Sequence, residues 1–140
     1  MPGIVHVDVE AWLIGYLKAA LTARSESYSA SVTVRNKVPT EGASPADPWP
    51  VSKRLVVVRD DGGQSLGDVR AVARIGLQVW GASEAETCAL ANLVSALMGA
   101  SENSGPVRKA SASRPYSVTE TSGRPKQYVT AELIIRGSSL

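Results

Sequence analysis

Apolar positions along this chain repeat with two different periods, and the switches between them mark out the elements. From Asp8 to about Arg24, Val9, Leu13, Tyr16, Leu17 and Ala20 fall on one face at helical spacing. That predicts a first helix, with Asp8 as its cap. The run "SASVTVRNKVP" then alternates and is β-branched, as a strand ending at Pro39 should be. Prolines at 39, 45, 48 and 50 make the next stretch a loop, with Trp49 at its tip. "KRLVVVRDDGG" reads as a strand entering a turn, "QSLGDVR" as a polar connection, and Val69 to Trp80 as a long strand. The Asp-Gly-Gly punctuation predicts that these two strands form a hairpin.

Ser83 followed by Glu86 is a capping box, with the serine oxygen taking a free backbone N–H and the glutamate reaching back. The helix it opens should run from Glu84 to about Met98, with Leu90, Leu93, Val94 and Leu97 on its apolar face. Cys88, Ala91, Asn92 and Ser95 are expected on the opposite side, as a small-residue face suited to close packing. "GASENSGP" is a loop. "VRKASAS", "YSVTETS" and "QYVTAELIIRG" are strand-like, with "SGRP" as a turn between the last two. The predicted order is α-β-β-β-α-β-β. It implies an α+β domain with a mostly antiparallel sheet and two amphipathic helices on one face. One domain is expected over residues 1–140, with flexible loops at about 39–53, 60–70 and 99–106. The second sheet face must then meet solvent or another subunit, and strand edges invite pairing across subunits.

Composition narrows the function classes. There is no Phe, so the core rests on Val, Leu, Ile and Ala with a few Trp and Tyr. A net charge of +2 gives no strong pull toward nucleic acid or membrane. No apolar run approaches the roughly 18 residues of a membrane span, and no signal peptide is expected. One cysteine cannot form an internal disulfide, so a cytosolic product without covalent staples is the simplest expectation.

Candidate chemistry is sparse. "GQSLG" formally matches a nucleophile elbow at Ser65, but a strand follows it, and His6 lies on the wrong side in chain order. Cys88 follows Glu84 and Glu86, which oppose thiolate formation. One Cys and one His do not make a zinc ligand set. The strand-turn-helix at "VWGASEAE" lacks a Gly-rich phosphate fingerprint, and its two glutamates would repel a phosphate. Catalytic residues, cofactor and metal are therefore all expected to be none. Basic residues are denser late in the chain, at Arg108, Lys109, Arg114, Arg124, Lys126 and Arg136, with Tyr116 and Tyr128 among them. They suit a solvated sheet face or a charged subunit contact, with a nucleic-acid surface as the weaker alternative.

The spaced pattern resembles the tail terminator proteins of long-tailed, siphovirus-type bacteriophages, especially those of actinobacteria. The resemblance lies in "DVEAWLIGYLKAAL", "KVP", "RLVVVRDDGG", "GDVRAVARIGLQVWGAS", "AETCALANLVSALM", "RPYSVTE" and "GRPKQYVTAELIIRG", in that order. Its most telling pieces are Arg54 to Arg59 with Gly62 and Gly63, Asp68 to Ala71, Trp80, Ala89 to Ala91, and Tyr128 to Leu133. "VRKASASRPYSVTE" is more polar than that family's pattern. The resemblance implies a virion protein made in the host bacterial cytoplasm and placed at the head-proximal end of the tail. It implies a homo-hexameric ring that caps the tail tube, ends its polymerisation and joins the head. The implied partners are other copies of the chain, the tail tube protein and a head-tail connector or neck protein. DNA would pass through the lumen without sequence-specific binding, and no membrane is involved. The hairpin connection would reach toward ring neighbours or the tube. The assembly residues are then Trp49, Asp60, Asp61, Gly62, Gly63, Ser65, Leu66, Asp68 and Arg70. Another neck or head-completion protein is the nearest alternative. A small enzyme or a nucleic-acid-binding module stands further off.

Overall fold

The computed structural model describes residues 3–39, 48–117 and 123–139. In chain order the elements are β1 (Ile4–Val5), α1 (Val9–Thr22), β2 (Thr33–Arg35), β3 (Leu55–Asp60), β4 (Arg70–Trp80), α2 (Glu84–Ala100), β5 (Val107–Ala112), β6 (Tyr116–Ser117), β7 (Lys126–Arg136) and β8 (Ser138–Ser139). The main sheet runs β2-β3-β4-β7-β5, with β6 also on β7. All its pairings are antiparallel except β2 with β3, which is parallel. The fold is α+β, and both helices lie on one face of this mostly antiparallel sheet. β1 and β8 form a separate two-stranded ribbon that the sequence pattern did not announce. Strands of two residues are too short to show a period.

The predicted caps are where local chemistry put them. The Asp8 carboxylate accepts from Ala11 N at 3.0 Å, and the Ser83 hydroxyl accepts from Glu86 N at 3.2 Å. Val9, Leu13, Leu17 and Leu21 form the buried stripe of α1. Strand alternation supplies the facing layer, with Val56 and Val58 from β3 and Ala71, Ala73, Ile75, Leu77 and Val79 from β4. Val129, Ala131, Leu133 and Ile135 of β7 complete it.

Two expectations change. The segment from Ser29 to Pro39 is strand only at Thr33–Arg35. Its start is a turn instead, because the Ser29 hydroxyl donates to Glu26 O at 2.8 Å and Ser31 adopts φ 56°. The small-residue face of α2 is not one surface. Ala91 is fully buried beside Leu90, Val94 and Met98, while Cys88 and Asn92 are exposed. Leu90, Ala91, Val94 and Met98 follow Thr87 by 3, 4, 7 and 11 residues. That stripe is rotated by roughly 60–70° from the one the leucines suggested. Leu93 and Leu97 are half-buried at its margin.

Glu86 ties the second helix to β3. Its carboxylate accepts from Arg54 Nη2 at 2.8 Å and from Ala82 N at 2.6 Å. Arg54 also donates Nη1 to Ala30 O at 2.9 Å, so one guanidinium links three segments. The Arg54 hydrogen bond holds the Glu86 carboxyl below its ordinary pKa of 4.5. A carboxyl depressed in the folded state stabilises fully above its unfolded pKa, and that share is lost as pH falls through the folded value. Glu86→Gln is expected to cost about 1–3 kcal/mol at pH 7. It should also flatten the acid limb below about pH 4.5. Urea titrations of both proteins at neutral and acid pH measure this. An equal loss at both pH values would contradict the assignment.

Candidate assembly face

The helices leave the other sheet face open. Cross-strand register lists what lies on it, because directly opposed residues share a face. On β4 and β7 the opposed pairs are Arg70 with Arg136, Val72 with Ile134, Arg74 with Glu132, Gly76 with Thr130, Gln78 with Tyr128, and Trp80 with Lys126. β3 adds Leu55, Val57 and Arg59, and β5 adds Lys109 and Ser111. Along these strands the face holds Arg59, Arg70, Arg74, Lys109, Lys126 and Arg136, with Glu132 as the one carboxylate among them. Even with Asp61 and Asp68, which pair with Arg59 and Arg70 from the adjoining connection, cations outnumber carboxylates on the open face of a chain whose net charge is +2.

One end of this face is a small second core. Leu55, Val57 and Trp80 are buried together, and Trp49 packs on them. The Trp49 and Trp80 rings meet edge-on with centroids 5.4 Å apart. The Arg124 guanidinium lies 4.0 Å from the Trp49 ring, and Lys126 Nζ lies 4.9 Å from Trp80 and 4.6 Å from Tyr128. Tyr128 in turn stacks on Tyr116 at 5.9 Å. Trp49 thus folds back on its own domain, half-buried. Mid-face, Arg59 Nε donates to Asp61 Oδ1 at 2.6 Å, and that hydrogen bond raises the Arg59 pKa. The pair lies across Gly76, where an added Cβ would sit 2.9 Å from Asp61 Oδ2. Arg74 and Glu132 approach at 4.0 Å.

The 60–70 connection, expected to be a flexible loop, is hydrogen-bonded along its length. Asp61 N donates to Arg74 O, Arg74 N to Gly62 O, Val72 N to Gln64 O and Leu66 N to Arg70 O, at 2.8 to 3.0 Å. Ser65 bridges Ala71. The hairpin therefore continues past β3 in an irregular register. Gly62 and Gly67 take φ +86° and +88°, which L side chains rarely adopt. Gly63 lies so close to β4 that an added Cβ would fall 1.8 Å from Val72 O. Asp68 accepts from Arg70 N at 2.8 Å and from Arg70 Nε at 3.0 Å, which keeps its carboxyl below the ordinary range. Asp60, Asp61, Gly62, Gly63, Ser65, Leu66, Asp68 and Arg70 are thus gathered on one exposed ledge. Trp49 sits apart from it, on the ring cluster near Trp80.

One backbone donor near each sheet edge is taken by a side chain. Asp60 N, past the short β2, donates to Glu10 Oε2 at 2.9 Å. On the far edge Ala110 N donates to Glu102 Oε1 at 3.2 Å, beside exposed Arg108 and Lys109. The open face and the hairpin ledge are the candidate partner surfaces.

Sequence reasoning set Ser65 and His6 apart, yet folding brings both to one cleft of about 220 Å³ with Asp60. Chain order gave no sign of this, because β1 reaches that end through its pairing with β8. The described residues show no hydrogen bond between Ser65 and His6, and Asp60 Oδ1 is taken by Gly62 N at 2.9 Å. Cys88 is exposed and lines a separate cleft with Glu84 and Lys126. Among the described residues no cluster of His, Cys, Asp or Glu would hold a metal ion. None of their helices is long and apolar enough to cross a membrane.

No family model matches the chain, and no curated protein matches it. Among solved structures it is similar to a chain of the "Virion of native gene transfer agent (GTA) particle", at 18% identity and a TM-score of 0.49, over 94% of this chain and 98% of that one.

Proposed function

We propose that this chain is a non-enzymatic structural protein of a phage-type virion. It is one subunit of a homo-hexameric ring that caps the tail tube, stops its polymerisation and presents the joint to the head. Its partners are neighbouring copies, the tail tube protein and a connector or neck protein. The observation that carries this is the ordered hairpin ledge at 60–70 beside an open, basic sheet face. The spacing that resembles tail terminators places its Asp-Gly-Gly and Gly-Asp-Val-Arg pieces on that ledge. An exposed face on which cations outnumber carboxylates suits contacts made by side chains across a head-to-tail interface. DNA in a lumen must slide without sticking, so the basic face is turned toward protein in this arrangement.

Gly63→Val tests the reading. The new side chain cannot coexist with Val72 O, so the ledge must leave β4, while the two cores keep their contacts. The expected stability loss is about 1–3 kcal/mol. Ring assembly, or capping of purified tail tubes, is expected to be lost. Native mass spectrometry and tube-length measurements read the outcome. A wild-type chain that stays monomeric at high concentration and does not cap tubes would overturn the function. A variant that caps normally would remove the ledge from it.

A further inference from the structure

At the end of the open face away from the tryptophans is a cleft of about 580 Å³. β4 and β7 set Arg70 and Arg136 directly opposite each other on its wall. The register shift between Val107 and Lys109 adds Arg108 to the same lining. Like charges directly opposed on a sheet destabilise it. Asp68 answers Arg70 alone, and among the described residues Arg108 and Arg136 have no ion pair. The rest of the wall includes Ile4, from the β1–β8 ribbon, and Val69, both half-buried. The site therefore combines unanswered guanidinium forks with apolar surface in a concavity.

Guanidinium forks match the paired oxygens of carboxylates and phosphates. The other features choose between these. A nucleic-acid backbone needs cations spaced along a track. Here Arg70, Arg108 and Arg136 are bunched at one sheet end, and further along the face Arg74 and Arg59 are answered by Glu132 and Asp61. The apolar wall fits a hydrocarbon side chain, which a sugar-phosphate chain does not offer. We propose that this cleft docks an acidic segment of a partner protein, in which carboxylates flank an apolar side chain. Arg108 and Arg136 take the carboxylates, and Ile4 and Val69 meet the apolar group. The site stands on its own geometry and requires no ring.

Fluorescence anisotropy of a labelled Glu-Glu-Leu-Glu-Glu-Leu peptide against the full chain tests it. Saturable binding is expected, weakened by salt and absent for a Gln-Gln-Leu-Gln-Gln-Leu peptide. Arg108→Gln with Arg136→Gln should weaken it at least about tenfold, since each removes a charge-assisted fork. Both side chains are exposed, so circular dichroism is expected to show an unchanged fold. Arg108→Lys, which keeps the charge and loses the fork, should weaken binding by a smaller factor. Binding undiminished in the double variant would overturn the proposal. So would a short DNA duplex that binds more tightly than the peptide and is lost in the same variant, since that would mark a nucleic-acid site. Inorganic sulfate that displaces the peptide at equal concentration would also overturn it, as an anion site without a peptide determinant.

Discussion

Ala91→Trp is expected to cost at least ~3 kcal/mol and to leave little folded protein under mild denaturant. Ala91 is fully buried on α2, in the cluster that holds Leu90, Val94 and Met98 against the sheet. Interiors are packed at crystal density, so an indole there must push the helix off β4 and β7. Those strands carry the opposed pairs of the open face, and the cost spreads through the sheet. Ala96 is exposed on the same helix. Ala96→Trp should therefore stay within about 0.5 kcal/mol of wild type. Urea midpoints of the two variants give the comparison. If Ala91→Trp unfolds with the wild-type midpoint, α2 does not face the sheet through this residue.

Trp80→Ala should be comparably damaging, at about 3–5 kcal/mol, but in the opposite layer. Trp80 is 2% exposed, and with Leu55 and Val57 it is the centre of the second core. Its removal deprives Trp49 of the ring it meets edge-on and Lys126 of one of its two aromatic partners. The near-ultraviolet dichroism of the tryptophan pair should disappear along with the stability. Trp80→Phe should cost much less, under about 2 kcal/mol. It keeps an aromatic face and removes an indole N–H that has no hydrogen-bond partner, although it is buried. Equal losses for Ala and Phe would mean that the ring's hydrophobic contacts are not what holds this end of the sheet.

These two residues also mark how far the sequence could be read. Trp80 closes a run of period-two positions, so its place at a strand end was plain. Its partner was not. Trp49 comes from a proline-rich stretch in which no period exists, and only folding decides whether such a ring turns inward or outward. Ala91 was misplaced because alanine carries little hydropathy signal. The larger Leu93 and Leu97 pulled the expected stripe toward themselves. In the hairpin, Asp-Gly-Gly announced a turn, but backbone bonds from Asp61 to Leu66 leave no side-chain pattern to read. The residues of the ledge could be named from the sequence, but not their ordered structure. The meeting of His6 with Ser65 was invisible too, since it depends on a ribbon of two-residue strands.

What the chain determines by itself is local. It sets the two helices and their caps, the hairpin of β3 with β4, and the long strand near the end of the chain. Each depends on neighbours within a few residues, where period, cap chemistry and turn residues act directly. The tertiary structure alone decided which sheet face is covered and that the other face is basic. It also decided that Arg70, Arg108 and Arg136 share one cleft and that Glu10 and Glu102 reach backbone donors of β3 and β5. Those are relations between residues far apart in sequence. They are set by strand order and register, which no local period encodes.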